Sequence, residues 1–151
     1  DFVMPKRFDM KYIDKDGQEK QPIVIHRSSI GCFERTMAFL IERYAGAFPV
    51  WLSPVQVILA PVSVKHVDGA RALATEFIDA GARVEIDDTD ETVGNKVRKA
   101  VGQKAPYVLV IGDKELNGGD LMVRVRGEEK PINIGKAEFI ARVVKEIKER
   151  K

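Results

Sequence analysis

Beyond residue 54 the apolar positions come in short blocks that alternate between two periods. Val55 to Val62 (VQVILAPV) is a nearly continuous apolar run of strand length. Val67, Ala70, Ala74, Phe77 and Ile78 then recur at helical steps along one face, closed by Gly81. Ala82 to Asp87 reads as a second strand and about Thr92 to Val101 as a short helix. Tyr107 to Ile111 (YVLVI) reads as a strand covered on both faces. Strand, helix, strand, helix, strand in that order predicts a parallel sheet with right-handed crossovers. Leu121 to Arg126 and Pro131 to Ile134, parted by the charged turn Gly127 to Lys130, predict a hairpin, and Lys136 to Arg150 a closing helix.

The first third has a different pattern. Pro5 to Ile13 (PKRFDMKYI) and Ile23 to Arg27 (IVIHR) are β-rich and predict a two-stranded meander across the turn signal Asp16, Gly17. Phe33, Met37, Leu40, Ile41 and Tyr44 then mark one face of a helix that stops at Gly46. Phe48 to Pro54 (FPVWLSP) carries two prolines and reads as a linker, which puts the expected domains at 1–53 and 54–151.

Composition narrows the class. Hydrophobic residues at 44% and charged residues at 32%, without low-complexity tracts, describe a globular chain rather than a disordered one. No apolar run approaches the roughly 20 residues of a membrane span, and Asp1 to Arg7 lack a signal-peptide core, so no membrane and a cytoplasmic setting are expected. A single cysteine, Cys32, forms neither an internal disulfide nor a metal cluster by itself. The net charge of +2 does not announce nucleic acid in bulk, so any RNA contact must come from a local patch.

A parallel sheet binds ligands at the carboxyl ends of its strands. Two polar loops open there, Asp87 to Ala100 (DDTDETVGNKVRKA) and Gly112 to Glu115 (GDKE), and neither has the glycine spacing of a nucleotide-phosphate loop. They offer the carboxylates Asp90 and Glu115 with Lys96, Arg98 and Lys99, while Arg124 and Arg126 lie on a neighbouring strand. Such a mixture can bond the edges of unpaired bases and pair with phosphates, or it can be an ordinary solvated surface. His26 and His66 are the only histidines and lie far apart, too few for the three or four ligands zinc takes. Arg35, beside Glu34 at a helix start, can clamp a phosphate or form a surface ion pair.

Ile23 to Gly46 (IVIHRSSIGCFERTMAFLIERYAG), with Gly31, Glu34 and Arg35, resembles the third signature motif of class II aminoacyl-tRNA synthetases. The His26, Arg27 pair before it and Phe48 to Val57 (FPVWLSPVQV) after it look like the threonyl branch. The likeness continues through Gly94, Lys96 and Arg98 and through Tyr107 to Glu115.

The resemblance implies an α/β fold. A class IIa anticodon-binding domain with a five-stranded mixed sheet and flanking helices would follow a strand-helix remnant of an antiparallel class II catalytic domain. It implies a portion of a threonine-tRNA ligase that activates threonine with ATP and Mg2+ and transfers it to tRNA(Thr). Arg35 would hold the ATP γ-phosphate, and Cys32, where serine is frequent, would lie near the aminoacyl-adenylate. His26 would be one of three ligands of a zinc ion, the other two lying upstream of Asp1. Asp90, Lys96, Arg98, Glu115 and Arg124 would serve the anticodon. Asp90 replaces an asparagine seen in some relatives, and Thr89 stands where an arginine is frequent, so the base contacts of that loop would differ in detail. The intact enzyme is expected to be a homodimer. This chain alone is expected to be inactive and to hold no cofactor, with apolar surface exposed in 1–53. A non-catalytic RNA-binding module and a prolyl-type synthetase are the rival readings.

Overall fold

The structure, a computed structural model, describes residues 1–151. The chain divides into two compact units, Asp1–Ala38 and Phe39–Lys151, and the division falls inside a helix.

The first unit departs from the expected meander. Val3–Arg7 is a short helix, α1, instead of the start of a strand. Asp1 Oδ1 accepts from the Val3 and Met4 amides at 2.8 and 2.9 Å, and Pro5 sits within the first turn, where its missing N–H costs nothing. Tyr12–Ile13 (β1) does form a strand, but its antiparallel partner is Glu19–Lys20 (β2) rather than Ile23 to Arg27. The turn decides this: Gly17 takes φ +74°, and Lys20 pairs with both Asp14 and Asp16, so the chain reverses at once. Pro22 follows, with no N–H to extend the ladder, and Ile23 to Arg27 stays irregular. Phe33–Tyr44 is the expected helix, α2, and Gly46 beyond it has φ +78°.

The second unit carries one sheet of five strands, in order β4-β3-β5-β6-β7, made of Val57–Pro61 (β3), Val84–Ile86 (β4), Tyr107–Ile111 (β5), Leu121–Val125 (β6) and Ile132–Ile134 (β7). Both β4 and β5 run parallel to β3, with Val57 opposite Val84 and Tyr107, as the alternation predicted. The pairs β5/β6 and β6/β7 are antiparallel, so the sheet is mixed.

Helices Val67–Asp79 (α3) and Lys136–Glu149 (α6) cover one face. There Leu59, Phe77, Tyr107, Leu109, Val123 and Phe139 form the main core, with Phe139 edge-on to Phe77 and Tyr107 at 5.7 and 5.1 Å. The other face carries Val93–Gly102 (α4), whose Ala100 packs on Ile58 and Val108 in a smaller cluster. Along α3 it is Leu73 that is buried, while Ile78, expected in the core, is 54% exposed.

The segment expected as a linker is fastened to this unit. Arg83 donates to the Ser53 carbonyl and, at 2.8 Å, to the Trp51 carbonyl; Gln56 Nε2 donates to Val50 O at 2.8 Å; and Arg126 Nη2 donates to Phe48 O at 2.6 Å. Its prolines shape a bound loop rather than a free tether.

Candidate functional site

Because α3 leads from β3 to β4 and α4 leads from β4 across β3 to β5, the connections leave the sheet in opposite directions between β3 and β5. The crevice beyond those strand ends is where a parallel sheet takes its ligands.

The loop after β4 forms one wall. Thr92 caps α4 by accepting the Asn95 amide. Lys99 pairs with Glu91 at 2.7 Å and approaches Asp87 at 3.9 Å. Burial pushes the Asp87 carboxyl up, but the Thr89 hydroxyl and amide together with Lys99 and Lys96 outweigh it and hold it below its ordinary value. Glu91 is likewise held low by Lys99. Those carboxylates are therefore committed to the loop. Asp90 and Arg98 are exposed and line one open recess with Glu91, Thr92, Gly94 and Asn95, and Arg98 Nη2 donates to Asn95 Oδ1 at 2.6 Å. Asp90 makes no bond within the chain, so its oxygens remain available.

Lys96, expected among the exposed cations, is 3% exposed and donates to the Pro61 carbonyl at 3.0 Å. It ties α4 to the end of β3 and does not face solvent.

The loop after β5 forms the other wall. Asp113–Leu116 makes a one-turn helix, α5, where the sequence suggested only a polar loop. Glu115 Oε2 accepts the Gly112 amide at 3.0 Å, while Oε1 has no partner. A Cβ on Gly112 would lie 3.3 Å from Glu115 Oε2 and 3.5 Å from Val62 Cγ2, so glycine leaves the carboxylate its place. The half-buried Glu115 is thus a carboxylate with one fixed and one free oxygen. A carboxylate only accepts, which suits the amino and imino N–H groups of a base edge.

Arg124 lies on β6 opposite Val108, exposed, beside a small recess floored by Val101, Ala105 and Val108. The structure thus gathers Asp90 and Arg98 in one recess and sets Glu115 at the end of β5 and Arg124 on the sheet face beside α4.

Beneath α5 lies a cluster the sequence did not single out. His66, 4% exposed, places Nδ1 3.0 Å from Ser63 Oγ and Nε2 3.2 Å from Asp113 Oδ1, and Lys65 Nζ reaches Asp113 at 2.9 Å. The Asp113 carboxyl is held below its ordinary value by Lys65 first and His66 second. The available signal was a Ser-x-x-His step straight after a strand.

In the first unit, Arg35 is exposed and makes neither hydrogen bond nor ion pair, so it is not paired with Glu34. Cys32 is exposed and free. His26 Nε2 lies 3.0 Å from Asp1 Oδ2, and the chain has no group of three His, Cys, Asp or Glu side chains that could hold a metal ion. The donors present do not by themselves fit zinc.

Comparison with known proteins adds four likenesses. A family model described as "Anticodon binding domain" matches residues 56–146. The threonine–tRNA ligase of Clostridium botulinum (strain Eklund 17B / Type B) is 48% identical over 147 residues, covering 97% of this chain and 23% of that protein. That of Halalkalibacterium halodurans is 46% identical over 149 residues, covering 98% and 23%. Among solved structures, the RNA binding domain of threonyl-tRNA synthetase from Cryptosporidium parvum Iowa II superposes with a TM-score of 0.71 at 30% identity, over 96% of this chain and 37% of that one. The chain spans just under a quarter of the length of the curated relatives it matches.

Proposed function

The chain belongs to the anticodon-binding domain family, and on that premise we propose that it reads the anticodon loop of tRNA(Thr) as part of a threonine–tRNA ligase. The observation that carries the reading is the Glu115 carboxylate, fixed through one oxygen by the Gly112 amide and free at the other, at the carboxyl edge of the sheet. A base edge presented to it gains a charge-assisted hydrogen bond to an acceptor that is already oriented. Asp90 and Arg98 give the opposite wall an acceptor and a cation, and Arg124 adds a guanidinium for a base or phosphate. Lys96 supports the wall from inside.

Within the same proposal, residues 1–53 are the end of the catalytic domain and 54–151 the anticodon domain. Arg35 would hold phosphate oxygens of ATP with Mg2+, and Cys32 would lie beside the aminoacyl-adenylate. His26 would complete a zinc site whose other ligands lie on parts of the enzyme outside this chain. The unpaired state of the exposed Arg35 supports its part. The intact enzyme would act as a cytoplasmic homodimer. No helix here is long and apolar enough to cross a membrane.

The test is a titration of the chain and its Glu115→Gln variant with a hairpin bearing a threonine anticodon, against one with scrambled anticodon bases, at fixed salt. Gln keeps an acceptor for the Gly112 amide but loses the charge, so the cognate preference should fall about tenfold, the worth of one hydrogen bond to a charged group. An unchanged preference would remove Glu115 from the reading surface.

A further inference from the structure

A one-turn helix is too short to hold itself in place, because its nucleus costs more than its hydrogen bonds return. α5 is nonetheless anchored at each functional position. Leu116 lies against Gly69 of α3, where a Cβ would come within 2.5 Å of Leu116 Cδ1. Glu115 caps the Gly112 amide. Asp113, the first residue of the turn, lies against Lys65 and His66, which follow β3.

The two partners of Asp113 differ. Lys65 is 65% exposed, so its 2.9 Å ion pair with Asp113 is open to solvent and a weak fastener. The His66 side chain is 5% exposed, and Nε2 is buried without a hydrogen bond although Asp113 Oδ1 is 3.2 Å away, out of line with the ring N–H. Were Nδ1 to donate to Ser63, a bare Nε2 lone pair would face a carboxylate. With Nδ1 accepting from the Ser63 hydroxyl, Nε2 carries an N–H on the side of Asp113. A buried donor of this kind is costly until it is met, and Asp113 Oδ1 on α5 lies 3.2 Å from it.

We propose that His66 is a positioning residue: its buried imidazole holds Asp113, Asp113 sets the turn of α5, and that turn carries Glu115 into its reading position. The inference rests on Glu115 as a base contact, yet its first half concerns the chain alone.

The test follows hydrogen exchange of the Gly112 amide in the RNA-free chain, together with the hairpin titration, for His66→Phe, His66→Gln and Asp113→Ala. His66→Phe should speed exchange at Gly112 about tenfold and cut the cognate preference several-fold, since the cap opens when the turn loosens. His66→Gln keeps an N–H at the same reach and should restore both. Asp113→Ala, at a site 69% exposed and so without threat to the fold, should reproduce the loss. If His66→Phe does not fold, the other two variants decide. Unchanged Gly112 exchange in Asp113→Ala, or His66→Gln no better than His66→Phe, overturns the proposal. An exchange response in a chain that prefers neither hairpin would uphold the positioning and instead overturn Glu115 as a reader.

Discussion

Asp113 and Glu115 stand two residues apart on one helical turn, and their partners separate their roles. Asp113 is engaged by Lys65 and His66, whereas Glu115 keeps one oxygen free. The same division runs through the cations. Arg98 and Arg124 reach solvent, while Lys96 spends its charge on the Pro61 carbonyl inside the fold. Lys96→Ala should therefore cost about 2–3 kcal/mol in urea unfolding, through lost packing and an unmet carbonyl. The folded fraction should keep its choice between hairpins. A stable variant with altered choice would return Lys96 to the surface set. Sequence alone placed Asp90 in the loop after β4, Arg98 on the helix that follows and Arg124 on its strand, and put Glu115 at the end of β5 without its helical turn, because strand ends and polar segments are local features. It could not separate Lys96 from Lys99, since they are three positions apart on one helix and only packing against β3 decides which is buried.

At the scale of elements, the second unit was legible because each strand and helix repeats its own period. Where the periods fail, the cause is non-local. α5 has no apolar period, and its existence depends on Leu116 meeting Gly69 and on the two carboxylate anchors. Gly69→Ala should cost only about 1 kcal/mol, because Leu116 is 37% exposed and its tip can move. It should nonetheless weaken cognate hairpin binding by displacing α5. Full stability with full binding would show that α5 tolerates movement. Ile23 to Arg27 has strand composition but no ladder partner, and Tyr12–Ile13 paired instead with the segment its turn delivers. The proline-bearing segment before β3 looked like a tether because its fasteners, Arg83 and Arg126, are 30 and 78 residues from the carbonyls they hold.

At the scale of the molecule, the two units differ in what they bury. Phe39–Lys151 has a closed core, whereas Phe2, Phe8, Ile25, Ile30 and Phe33 of the first unit are all more than 60% exposed. Exposed apolar surface of that extent is characteristic of regions that pack against other protein.

The second unit also has a built-in alkaline limit. Burial, and then the Glu146 carboxylate at 2.6 Å, push the Tyr107 hydroxyl well above its ordinary value. A raised folded value means this contribution is complete below the ordinary tyrosine range near pH 10 and is lost as the pH climbs above it. Stability should thus decline above about pH 10, less steeply in Tyr107→Phe, as urea midpoints against pH would record; identical slopes would contradict the assignment.

We propose that the carboxyl edge of this sheet, from the loop after β4 to α5, reads unpaired anticodon bases. The most direct check is an NMR titration of the isotope-labelled chain with the threonine-anticodon hairpin at physiological salt. Amide shifts should concentrate at Asp90 to Arg98, Gly112 to Glu115 and Arg124, and largely vanish with the scrambled hairpin. Shifts centred on α6, or an identical pattern with both hairpins, would contradict it.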